Sequence, residues 1–165
     1  ISRQGWLAYA LAIAVIIADQ ASKAWVVRLP ILGEGLSRDV WGPLRLTLVE
    51  NRGISFGLFQ SDAGWGRWAL IGFSLAVAIG LAVWVGRAGR PLVAAAVGLI
   101  IGGAIGNGID RLRLGHVVDF IDVQALHFPW VFNLADSAIN IGIALLLLDS
   151  LLSPKAGSAA KAKVI

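Results

Sequence analysis

Four apolar runs, at residues 6–27, 68–86, 91–109 and 133–152, decide most of what this chain can become. Each is long enough to cross about 30 Å of hydrocarbon as an α-helix. A backbone inside lipid has to satisfy its own hydrogen bonds, which for runs of this length leaves helices. The composition agrees, since 58% of the 165 residues are hydrophobic and the mean hydropathy of +0.79 is far above that of a soluble domain. The expected fold is an all-α membrane protein with four transmembrane helices, a small extracytoplasmic β element and an interfacial segment. One domain is expected over residues 1–153. The first run follows Arg3 as a signal peptide would, but it is too long and lacks a small-x-small cleavage site, so it reads as a retained helix.

The net charge of +4 and pI near 10.1 do not mark a nucleic-acid binder, because the basic residues are spread along the chain without a dominant cluster. They serve membrane orientation instead. With the amino terminus in the cytoplasm, the inner segments are residues 1–5, the turn at 86–91 and the tail from 154. These hold Arg3, Arg87, Arg90, Lys155, Lys161 and Lys163 and no acid. On the other side Arg28, Arg38, Arg45 and Arg52 share their loop with Glu34, Asp39, Glu50 and Asp62. Basic density thus favours both termini inside.

The outer segment, about residues 28–65, is longer than a connection requires and reads as a small folded element. "LRLTLVE" at 44–50 begins with the alternation of a half-buried strand, and "NRG" then supplies turn chemistry. In "ISFGLFQ", Ile54, Phe56, Leu58 and Phe59 can rest on the membrane surface. A loop lying on lipid fits the same pattern. The tail at 154–165 is small, polar and basic, and is expected to be disordered in the cytoplasm. No internal or inverted repeat is visible, which gives a two-fold transporter architecture no support.

The polar residues inside or beside the apolar runs need a reason, because a carboxylate near hydrocarbon is costly unless paired, hydrated or used. Asp19 and Lys23 are four apart and can form an ordinary helical ion pair. Gly98, Gly102, Gly106 and Asp110 line one face of the third helix, and small residues at that spacing let helix backbones approach closely. Gly103, Asn107 and Arg111 form the neighbouring row. Asp110 and Arg111 can also be read as charges at headgroup depth. Asp119 sits in a short apolar run, and Asp136 stands at the start of the fourth helix. All these groups fall toward one membrane face, where polar residues from three helices and two loops converge.

The chemistry open to such a cluster narrows by residue type. With no cysteine there is no disulfide, thiolate nucleophile or cysteine-bound metal. His116 and His127 do not have the spacing of a zinc protease, so no metal is expected. Ser22 and Lys23 are adjacent, and their side chains diverge by about 100° on a helix, which does not make a nucleophile and base. Two carboxylates brought together remain, sharing a proton because like charges at short range cannot both ionise comfortably. A proton- or ion-coupled carrier is the alternative, and it predicts acids near mid-bilayer and interrupted helices.

Four blocks, "DQASK" at 19–23, "ENRGISFG" at 50–57, "GGAIGNGIDRLRLGHVVDFID" at 102–122 and "FNLADSAINIG" at 132–142, occur in the order found in one family. Together they resemble lipoprotein signal peptidase, or signal peptidase II. The resemblance implies a bacterial plasma (inner) membrane aspartyl endopeptidase that needs no cofactor and whose active site lies at the extracytoplasmic face. It implies cleavage of diacylglyceryl-modified prolipoproteins just before the lipidated cysteine, in a monomer surrounded by membrane lipids and sensitive to globomycin. Carried over by motif, the catalytic pair falls on Asp119 and Asp136. Asp19, Lys23, Asn51, Gly103, Asn107, Asp110, Arg111 and Asn133 would brace the site or bind substrate. Gly108 replaces a bulkier residue, and "RGIS" replaces a more alanine-rich version. The outer strand would belong to a sheet that cradles the substrate.

The orientation is testable in this cysteine-free chain. Single cysteines at Gly89 and Ala159 should resist an impermeant thiol reagent in spheroplasts, whereas one at Ser37 should label. Labelling of Ala159 without Ser37 would reverse the topology.

Overall fold

A computed structural model of the chain describes residues 1–29, 36–53 and 65–152. The interfacial segment expected at 54–59 and the tail expected at 154–165 lie outside the described residues. Four helices are long and apolar enough to span a membrane: α1 (Arg3–Val27), α2 (Trp65–Val85), α3 (Pro91–Arg113) and α4 (Leu134–Leu152). They coincide with the four apolar runs to within a few residues at each end. Local chemistry sets several boundaries. Ser2 caps α1 by accepting from the Gly5 amide, and its hydroxyl donates to the Ala88 carbonyl, tying the amino terminus to the α2–α3 turn. Pro91 opens α3 where its missing N–H costs nothing. Gly115, at φ +87°, supplies the left-handed residue that turns the chain back after α3.

The sheet is four-stranded and antiparallel, in the order β1 (Ser37–Trp41), β2 (Leu44–Asn51), β3 (Val117–Asp122), β4 (Val131–Phe132). The strand expected at 44–50 is therefore β2. Its long-range partner is the apolar run around Asp119, which forms β3, with Val49 opposite Asp119 and Asn51 opposite Val117. Alternation along β3 sends Phe120 into a small core with Val26 and Leu46, and turns its neighbour Asp119 the other way.

The third helix is the hub. Inside its most apolar window 67% of residues are buried, against 17 to 28% for the other three helices, whose outer faces are left for lipid. Its two glycine rows face different partners. A Cβ at Gly98 would lie 2.6 Å from the Ala8 carbonyl oxygen, and one at Gly102 2.6 Å from Val15, both on α1. One at Gly103 would collide with the Ala135 carbonyl of α4. From the other side, a Cβ at Gly142 of α4 would lie 2.6 Å from the Ala96 carbonyl of α3. Missing side chains bring these backbones together, which in lipid replaces the hydrophobic drive available in water.

Gly98→Ala and Gly103→Ala should each lower stability in detergent by about 1–3 kcal/mol, the usual cost of overpacking. Gly108 meets no atom of the described residues within 4 Å, so Gly108→Ala should raise stability by about 0.5–1 kcal/mol through helix propensity. Thermal unfolding of the three variants separates close packing from a generic dislike of change. Equal behaviour of all three would dismiss the packing account.

Candidate active site

At the sheet end of the bundle, Lys23 on α1 is buried with its ammonium among three oxygens. These are Asp19 Oδ2 at 2.8 Å, Asp110 Oδ2 at 2.8 Å and Asn107 Oδ1 at 3.1 Å. The ion pair expected between Asp19 and Lys23 is thus one arm of a larger construction. An ammonium only donates, so Asn107 must turn its carbonyl oxygen toward Lys23 and its NH₂ away. That NH₂ reaches Asp136 Oδ1 at 2.8 Å. Asn107 Oδ1 also accepts from Asn133 Nδ2 at 3.1 Å, and the same nitrogen donates to Asp119 Oδ1 at 2.7 Å.

The first turn of α4 is built from this network. Asn133 is its cap: its Oδ1 accepts from the Asp136 amide at 2.9 Å, while the Asp136 carboxylate accepts from the Asn133 amide at 3.4 Å. This reciprocal pairing is a capping box with aspartate in the third position. The Ala135 amide donates to Asp19 Oδ1 at 3.0 Å, so a carboxylate on α1 satisfies another of the unpaired amides of α4. Asp110 plays the same part for the sheet, accepting from the Val118 amide at 3.2 Å.

Asp119 receives a second donor from β2. The Asn51 amide nitrogen lies 3.0 Å from Asp119 Oδ2, and Asn51 Oδ1 is occupied by the Gly53 amide at 3.1 Å, which fixes which end of the side chain faces the acid. Burial first, and the neighbouring Asp136 carboxylate second, push the Asp119 carboxyl up to about 7, against the hydrogen bonds from Asn51 and Asn133 and the more distant charge of Lys23. A carboxyl held there can keep or release a proton near neutral pH.

Both acids open onto one cavity of about 620 Å³. Its polar wall includes Asn51, Arg111, Asp119, Asp136 and Asn140, and Phe128, Trp130, Phe132, Ile139 and Ile141 make its apolar wall. Arg111 lines the same cavity, and its Nη1 donates weakly to the Asn107 carbonyl at 3.5 Å. All ten residues singled out from the sequence therefore gather in one place: nine in the hydrogen-bonded or cavity-lining set, and Gly103 as the close contact that brings α4 against α3.

Sequence reasoning overlooked three contributors. Gln20 ties α1 to α3 by donating to Asp110 Oδ1 at 2.8 Å, and it lay unremarked inside "DQASK". Asp122 accepts from Thr47 at 2.6 Å and from the Gln124 amide at 3.0 Å, pinning β3 to β2 and to the 3₁₀ turn Gln124–Leu126. The aromatic wall is the third, with Phe128 edge-on to Trp130 at 5.2 Å and to Phe132 at 5.7 Å. Its signal was available as three aromatics at a spacing of two, the period of an extended chain.

Comparison with known proteins places this arrangement. The chain is 60% identical over 154 residues to a lipoprotein signal peptidase from Caulobacter vibrioides, covering 93% of this chain and 91% of that one. It is 46% identical over 148 residues to the lipoprotein signal peptidase of a Synechocystis strain, covering 87% of each. A bacterial membrane enzyme solved by the in meso method at 1.9 Å resolution superposes with a TM-score of 0.76 at 28% identity, covering 90% of this chain and 94% of that one. The family model for signal peptidase (SPase) II matches residues 11–152, and with that span holding every residue of the site, the chain belongs to the signal peptidase II family.

Proposed function

We propose that this protein is the aspartic-type endopeptidase that removes signal peptides from diacylglyceryl-modified prolipoproteins just before the lipidated cysteine, with Asp119 and Asp136 as its catalytic pair. The observation that carries this reading is the pairing itself. Two carboxyls from different elements line one cavity, Asp136 held by Asn107 and Asp119 by Asn133, and the Asp119 carboxyl is held near neutrality. In the proposed cycle the ionised member takes a proton from water while the protonated member donates a hydrogen bond to the scissile carbonyl. Water oxygen bonds to the carbonyl carbon, the carbon–nitrogen bond breaks, and the proton collected by the acid passes to the leaving amine. No acyl-enzyme forms. Asp136 stands in the first turn of α4, on the wall of the cavity that Asp119 also lines.

Arg111 and Asn51, on the polar wall beside the pair, position the substrate, and the acyl chains stay in the bilayer between helices. The orientation proposed from basic density puts both termini in the cytoplasm and this cavity at the outer face, where a translocated prolipoprotein arrives. Residues 1–153 form one peptidase domain, monomeric in the membrane. Cleavage of a diacylated prolipoprotein by the purified protein, blocked by globomycin, is the direct test.

Asp119→Asn and Asp136→Asn keep size and polarity but cannot exchange a proton, so each should reduce turnover by about 10²- to 10⁴-fold. If the pair acts as a unit, the double variant should be scarcely worse than either single one. A well-folded Asp119→Asn enzyme with more than about a hundredth of wild-type turnover would end the aspartyl mechanism.

The elevated Asp119 carboxyl also has two pH signatures. Wild-type kcat/KM should follow a bell whose alkaline limb falls near pH 7, as the shared proton is lost. The folded chain holds a proton that the unfolded chain, with a carboxyl near 3.8, releases. Stability from this group should therefore be fully present below pH 3.8 and lost as pH rises to about 7. Asp119→Asn should flatten that part of the profile, measured as Tm against pH in detergent. An unchanged slope would place the raised carboxyl elsewhere.

A further inference from the structure

One polar side chain on the cavity wall has no part in the network. Asn140 lies on α4 four residues beyond Asp136, so it projects from the same face about 6 Å further along the axis. It is exposed, it lines the cavity that holds Asp119 and Asp136, and its side chain makes no hydrogen bond among the described residues. Ser137, the nearest hydroxyl on that face, turns its Oγ back to the Asn133 carbonyl instead. Around Asn140 the helix is apolar, with Ile139 and Ile141 on the cavity and Ile143 and Leu147 exposed at lipid depth. A primary amide facing hydrocarbon without a partner is expensive. That cost is removed if the partner arrives with the substrate.

Resting on the peptidase reading, the geometry points to Asn140 as a substrate-contact residue whose amide donates to a carbonyl oxygen of the bound lipopeptide. With the scissile carbonyl at the two acids, a site about 6 Å away is reached by a main-chain carbonyl about two residues along an extended peptide. It is also reached by an ester carbonyl of the diacylglyceryl group descending from the cysteine. Both sources present the same acceptor chemistry.

The test compares wild type, Asn140→Ala and Asn140→Leu on two lipopeptides of identical sequence, one carrying ester-linked acyl chains and one ether-linked alkyl chains without those carbonyls. Both variants should lose about three- to tenfold in kcat/KM on the ester substrate, as expected for one neutral hydrogen bond. If the ester carbonyl is the partner, wild type should fall by the same factor on the ether substrate and the variants no further. If the partner is a peptide carbonyl, the variants should lose as much on both. Wild-type rates for both variants on both substrates overturn the inference, and so does loss confined to Asn140→Leu, which would mean steric blockage. Wild type that cleaves neither substrate overturns the peptidase reading beneath it.

Discussion

A single buried ammonium organises the sheet end of this bundle. Lys23 is surrounded by two carboxylates and an amide oxygen, and because it can only donate, every neighbour must present an acceptor. Asn107 is thereby oriented, its NH₂ is committed to Asp136, and its oxygen is left to receive Asn133, whose nitrogen then serves Asp119. Reversing one amide would set oxygen against carboxylate at each step. Burying a charge is expensive, and the usual compensation is a partner of opposite sign. Here two carboxylates share one cation, and the second of them also anchors the sheet through the Val118 amide.

The same economy appears in the helices. Neighbouring rows of α3 hold different partners, with 98 and 102 against α1 and 103 against α4, and each row ends in a polar residue that continues the contact as hydrogen bonds. Small residues set the distance at which the polar ones can meet. The sheet then completes the site from outside the bundle. β3 is tied to α3 by Asp110 and to β2 by its ladder, so Asp119 is held by two fixed neighbours although it sits on a strand of six residues.

Most of the bundle could be read directly, because length and hydropathy leave little choice in lipid. The four helices, the strand at 44–50 and the glycine rows all express local periodicity. What escaped was pairing across long sequence separations. "VVDFID" looks like a short apolar run until β2 and β4 lie beside it, and both of its faces are buried, so alternation does not betray it. Gln20 reads as an ordinary helical residue until Asp110 is brought across from α3. At the opposite end of the bundle, Asp149 of α4 pairs with Arg90 of the α2–α3 turn at 2.7 Å. The positive-inside rule counted that arginine without suggesting a partner. The convergence of polar groups at one membrane face was legible from their positions along the helices, but the assignment of the catalytic pair and of Asn51 and Asn133 came from four motifs in a known order, and spacing alone left Asp19 with Lys23 as an ordinary ion pair.

The capping of α4 has a consequence for how the protein comes into being. Its first-turn amides are satisfied by Asn133 and by Asp19, and the acid of that turn is held by Asn107, so the first turn of α4 is completed by side chains of α1 and α3. This is the last of the four spans to leave the ribosome. A nascent chain holding three helices has one member of the carboxyl pair and no partner for it. On the proposed mechanism, hydrolysis therefore waits until the fourth helix docks and brings Asp136 to Asp119.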